Sequence, residues 1–119
     1  MSHSKAVRVG YIDYLNTVPF YHGLAERFEP GAIELVRGVP TEINRLMRED
    51  KLDIALVSSL EYALAADRYL VLNDGCIGSS GITQSVILFS RHRLKDLNHR
   101  TVALSKASLS SATLQSLYM

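Results

Sequence analysis

A regular change of hydrophobic period constrains this chain more than any other feature: short β-branched runs alternate with apolar residues at helical spacing. Residues 7–12 read as a strand and end in the polar loop Asp13-Tyr14-Leu15-Asn16-Thr17. From Pro19 the residues Phe20, Leu24, Ala25 and Phe28 recur as one helical face, and Pro30-Gly31 stops the pattern. Ile33-Glu34-Leu35-Val36 is a second strand. Pro40 then opens a helix with Ile43, Leu46 and Met47 on one face and Glu42, Arg45 and Glu49 off it. Residues 53–57 are nearly all apolar, the pattern of a strand covered on both faces. Ser58-Ser59-Leu60-Glu61 follows at once and matches the Ser-x-x-Glu capping box of a short helix. The order βαβαβα implies an α/β fold with a mainly parallel sheet and helices on its faces.

Beyond this unit the spacing predicts strands at 69–72, 83–90 and 101–104, and a helix after Ser108. Glycines and serines between Asn73 and Gly81 mark a loop whose G-x-x-G-x-x-G spacing fits neither phosphate-binding glycine motif. A final strand-helix unit that starts after a polar linker has no evident sheet of its own, so the chain reads as the N-terminal portion of a longer protein.

The 119 residues carry 13 Lys+Arg against 12 Asp+Glu, a balance that gives no overall field for a nucleic-acid backbone or an anionic membrane. Arg91, His92, Arg93, Lys95, His99 and Arg100 form a basic stretch, but no stacking aromatic is interleaved with them, and a solvated connection is the expectation. Cys76 is the single cysteine, which excludes an internal disulfide and a cysteine-rich zinc cage. His3, His22, His92 and His99 match no metal-binding spacing, and no metal is expected. No apolar run approaches a membrane span, and the polar start lacks an export signal, so the expected location is the cytoplasm.

Small polar residues fall where a parallel sheet would gather them. Asn16 and Thr17, Ser58 and Ser59, then Ser108 to Ser111 each follow an apolar strand and precede a helical pattern. Ligands of open α/β sheets bind outside the carboxyl ends of the strands. Hydroxyls and amides there can orient a carboxylate without a strong base or a metal. Against this stands the simpler reading that serines and threonines at helix starts are caps. Asn16, just before a proline-initiated helix and in a loop with two tyrosines, is less easily assigned to capping alone. Ser85 lies in a predicted strand, Glu61 is explained by the capping box, and Cys76 reads as structural.

The run Val9-Gly10-Tyr11-Ile12-Asp13-Tyr14-Leu15-Asn16-Thr17-Val18-Pro19 resembles the amino-terminal signature of the chorismate dehydratases of menaquinone biosynthesis by the futalosine route. Residues 38–46, 52–62 and 85–88 resemble further blocks of that family in the same order. The resemblance implies a type II periplasmic-binding-protein-like fold of two α/β lobes, with substrate in the cleft between them. Residues 1–90 would then be a first, incomplete lobe, 91–100 a crossing segment and 101–119 the start of the second lobe. The implied reaction removes water from chorismate to give 3-[(1-carboxyvinyl)oxy]benzoate, with no cofactor. Carried over by position, Asn16 and Ser85 are catalytic, while Thr17, Ser58, Ser59, Ser108, Ser110 and Ser111 hold the substrate's carboxylates. Ser108-Leu109-Ser110-Ser111 stands where the family pattern has Ser-x-Thr-Ser, and a hydroxyl survives at each polar position.

Two other readings share this fold. The sister dihydroxynaphthoate synthases carry a Cys-Pro-Asn-Asp type loop after the first strand, where this chain has Tyr-Leu-Asn-Thr. A non-catalytic domain binding a small anionic solute or effector is the second. An incomplete lobe would also expose apolar edges, so self-association of copies is a further expectation.

Overall fold

The computed structural model describes residues 5–73, 75–82 and 86–117, apart from the side chain at position 25. Three parallel strands form one sheet in the order β2-β1-β3: β1 (Val7–Tyr11), β2 (Ile33–Arg37) and β3 (Ile54–Ala55). Val7 lies opposite Ile33 and Tyr11 opposite Arg37, while Val9 and Gly10 lie opposite Ile54 and Ala55 on the other edge. Among the described residues five α-helices accompany the sheet: α1 (Val18–Tyr21), α2 (Leu24–Arg27), α3 (Pro40–Arg48), α4 (Ser59–Leu64) and α5 (Leu109–Leu117). The expected α/β class with a parallel sheet is therefore present.

The core sits where α3 crosses the sheet. Ile12, Ile43 and Leu52 are buried together, with Val36, Leu46, Met47, Ala55 and Leu56 packed around them. Gly10 makes this approach possible. A Cβ at that position would lie 2.9 Å from Ala55 Cβ, 2.9 Å from Leu52 Cδ1 and 3.0 Å from Ile43 Cγ2. Arg8 and Asp53 lock β1 to the start of β3: the guanidinium donates to both carboxylate oxygens at 2.7 and 3.0 Å, and the Arg8 and Asp53 backbones bond as well. Those bonds from Arg8, side chain first and then backbone N–H, hold the Asp53 carboxyl well below the usual carboxylate range.

Several sequence expectations are corrected. The helix expected from Pro19 to Phe28 is two short helices, because His22 is extended and Gly23 takes a left-handed φ of 77°. Phe28 is exposed as a result. The strand expected at 53–57 is reduced to Ile54–Ala55, and Ile54 is 45% exposed rather than covered on both faces. Only β1 flanks β3, so nothing takes the hydrogen bonds of its outer edge among the described residues.

Residues 69–72, 86–90 and 101–104 form no strand either, and residues 83–85 lie outside the described part. Leu70 is 99% and Phe89 88% exposed. Apolar, β-prone residues become strands only beside a neighbour that accepts and donates along the backbone, and these segments lack one here. The radius of gyration, 17.8 Å, accordingly exceeds the roughly 13.5 Å of a closely packed domain of this length. The helix expected after Ser108 is present as α5, lying beside α4.

Candidate functional site at the carboxyl edge of the sheet

Because β1 and β3 are parallel neighbours, the loops that follow them leave from the same edge of the sheet. The first contains Asn16 and Thr17, the second Ser58 and Ser59. Each loop is held by its own polar contacts.

After β1 the chain turns tightly. The N–H of Tyr14 donates to the carbonyl of Ile12, and that of Thr17 to the carbonyl of Tyr14. The buried Thr17 hydroxyl lies 2.6 Å from the Ile12 carbonyl oxygen and 2.7 Å from that of Tyr14, so its single proton is shared between them. Thr17 thus shapes the loop from within, and this donor is committed to the main chain. Asn16 points the other way: it is exposed and makes no side-chain hydrogen bond among the described residues. Behind the loop, the Tyr21 hydroxyl donates to the Gly10 carbonyl at 2.8 Å, and the Tyr11 and Tyr21 rings meet with centroids 4.5 Å apart. Burial raises the Tyr21 pKa above that of a free phenol. Arg37, at the end of β2, places its guanidinium 5.0 Å over the Tyr11 ring and 3.7 Å from Asp13.

After β3, Ser58 caps α4 as the Ser-x-x-Glu pattern predicts, its oxygen accepting the Glu61 N–H at 3.1 Å. The second half of the capping box is absent. The Glu61 side chain turns inward instead, is fully buried, and accepts from Arg48 Nε at 2.9 Å and the Tyr69 hydroxyl at 3.0 Å on the same oxygen. Its other oxygen has no protein partner among the described residues. Burial, followed by the hydrogen bond to this carboxylate, raises the Tyr69 pKa. A buried carboxylate is tolerable only with such partners, so this triad ties α3, α4 and the segment after α4 together.

Asn44 is a second polar group that the sequence did not disclose. It is 2% exposed, donates a long 3.4 Å hydrogen bond to Ser58 Oγ, and leaves its own carbonyl oxygen without a partner among the described residues. The helical pattern gave little warning: at 100° per residue Asn44 lies 60° beyond Met47, at the margin between the apolar face of α3 and Arg48, where a polar residue is ordinary.

Ser108 and Ser111 serve the start of α5. The Ser108 hydroxyl donates to Ser111 Oγ at 2.8 Å and accepts the Ser111 N–H at 3.3 Å, while the Ser110 hydroxyl oxygen is buried with no partner among the described residues. No hydrogen bond joins this block to Asn16 or Ser58. Ser85 lies outside the described residues. Two open concavities of about 440 and 640 Å³ lie between residues 87–105 and Gln115 of α5, lined by Leu97, Arg100 and Val102 among others, and neither reaches Asn16 or Ser58. No group of three His, Cys, Asp or Glu side chains among the described residues is arranged to hold a metal ion, and no helix there is long and apolar enough to cross a membrane.

The sequence profile of a family described as "Menaquinone biosynthesis" matches residues 7–119, nearly the whole chain. The chain belongs to this menaquinone biosynthesis family. It is also similar to the chorismate dehydratase of Thermus thermophilus, with 32% identity over 111 residues. That match takes in 93% of this chain and 39% of the relative, so the chain spans about two-fifths of the length of that protein. No solved structure gives a significant match. The matched residues include the sheet and both loops, with Asn16, Ser58 and Ser59.

Proposed function

We propose that this chain supplies part of a chorismate dehydratase, and that the edge formed by the loops after β1 and β3 receives the substrate. The observation that carries this reading is the gathering of an unengaged amide and two hydroxyl-bearing residues at the carboxyl edge of a parallel sheet in a member of this family. The similarity to a protein named chorismate dehydratase supplies the substrate.

In this reading the protein belongs to the type II periplasmic-binding-protein-like class. Residues 1–90 form most of a first lobe, 91–100 cross between lobes and 101–119 begin the second. Chorismate is a dianion whose ring becomes aromatic when one ring C–H bond and the neighbouring C–OH bond break. The C–H electron pair becomes the new ring double bond, and the proton leaves with the hydroxide as water. The gain in aromaticity drives the step, and the protein's work is to hold the dianion and polarise the departing hydroxyl. Asn16 acts at the reacting centre, together with Ser85. Ser58 and Ser59 hold one carboxylate, Ser108, Ser110 and Ser111 the other, and Thr17 keeps Asn16 in place by closing its loop.

The test is chromatography of chorismate incubated with this chain and with the longest polypeptide its gene encodes. Appearance of the aromatic enolpyruvyl ether with either is the expected result, and Asn16→Ala should lower turnover at least tenfold, about 1.4 kcal/mol. Saturable chorismate binding without product in both would instead identify a non-catalytic binder of small anions.

A further inference from the structure

We infer that Asn44 makes Ser58 a hydrogen-bond donor only, and so sets the β3–α4 loop to recognise an anionic oxygen. A serine hydroxyl has one proton and two lone pairs. At Ser58 both lone pairs are taken, one by the Glu61 N–H at 3.1 Å and one by Asn44 Nδ2 at 3.4 Å. The proton has no acceptor among the described residues, and Ser58 is only partly buried. What remains for a ligand is a single O–H, suited to a carboxylate oxygen and unable to accept from a ligand hydroxyl or amine.

The environment of Asn44 supports a task beyond packing. It follows the core residue Ile43 in α3, is 2% exposed, and leaves its side-chain carbonyl oxygen unpaired among the described residues. An unpaired buried amide oxygen destabilises the fold, and an apolar side chain of the same size would remove that cost. The amide's one bond goes to Ser58. Asn44 is therefore a positioning residue: it does not reach the ligand but fixes which way the Ser58 proton turns. For the chorismate reading, on which this inference builds, Ser58 then contacts a substrate carboxylate.

The experiment is a double-mutant cycle read by calorimetric titration of chorismate at pH 7 into the full chain. Ser58→Gly removes the hydroxyl while keeping a residue that caps helices nearly as well. Asn44→Asp exchanges the amide donor for an acceptor, so that the Ser58 proton turns inward to the new carboxylate. Each variant should weaken binding about tenfold, as expected for one charge-assisted hydrogen bond, and the double variant should be no weaker than Ser58→Gly. Asn44→Leu, which adds no charge, should weaken binding about threefold in the parent and not at all beside Ser58→Gly. Multiplying losses in either double variant would overturn the inference, because Asn44 would then act by bulk charge or general destabilisation.

A chain that binds no chorismate would refute the functional reading, and the pairing has its own readout. The carboxyl introduced by Asn44→Asp, followed by carbon NMR, should titrate lower with Ser58 present than with Ser58→Gly. Equal titration in the two backgrounds would refute the pairing whatever the ligand.

Discussion

Gly10→Ala should unfold this chain more readily than its size suggests, because one methyl group would enter the tightest contact between α3 and the sheet. The added Cβ would approach Ala55 Cβ and Leu52 Cδ1 to 2.9 Å and Ile43 Cγ2 to 3.0 Å, about half an ångström inside ordinary carbon contact. Ala55 Cβ is fixed to the β3 backbone, Ile43 Cγ2 is a branch at Cβ, and the Leu52 side-chain end is buried in the core with little room to shift. Overpacking of this kind costs up to about 3 kcal/mol, while replacing a strand glycine by alanine returns about 1 kcal/mol of chain entropy. The net expectation is a loss near 2 kcal/mol, or about 8 °C in Tm for a chain of this length. Urea titration followed by far-UV circular dichroism measures it, and adding Ala55→Gly should recover part of the loss by removing one colliding atom. Stability within about 0.5 kcal/mol of the parent, or an Ala55→Gly effect that merely adds to the first, would refute the packing argument.

Three other outcomes follow from the same geometry. Asp53→Asn should destabilise the fold at neutral pH, since the Arg8 guanidinium and backbone N–H favour the ionised carboxylate in the folded state. A depressed folded pKa stabilises above the unfolded value near 4 and loses that contribution as pH falls below it, so parent and variant Tm values should converge in acid. Glu61→Gln should cost about 1 to 2 kcal/mol in urea unfolding, less than a fully buried pair would, because Arg48 is half-exposed and regains water. Asn16→Ala should leave that unfolding midpoint unchanged while lowering turnover in the proposed chorismate reaction, because the side chain is exposed and bonds to nothing among the described residues.

Three elements of the first half of the chain are legible from local pattern. β1, β2 and α3 stand where local period places them: Val9 and Ile43 are buried, and Val36, Leu46 and Met47 pack on the core, while Val7 and Leu35 stay exposed. The Ser58 cap is equally local: a hydroxyl three residues before a backbone N–H needs nothing else from the fold. The carboxyl-edge position of Asn16, Ser58 and Ser59 follows from strand order alone once the sheet is parallel.

Tertiary structure decided what depended on partners distant in sequence. Glu61 satisfies the capping pattern with its N–H, yet its carboxylate leaves the box because Arg48 and Tyr69 offer a charge and a hydroxyl inside the protein. Asn44 gains its meaning only from Ser58, fourteen residues away, and the space requirement at Gly10 only from α3 and β3. The apolar segments at 69–72, 86–90 and 101–104 carry strand composition without strand structure for the same reason. A local pattern can specify which residues would suit a strand or a site; hydrogen bonds, ion pairs and close packing form only when the fold delivers the second partner.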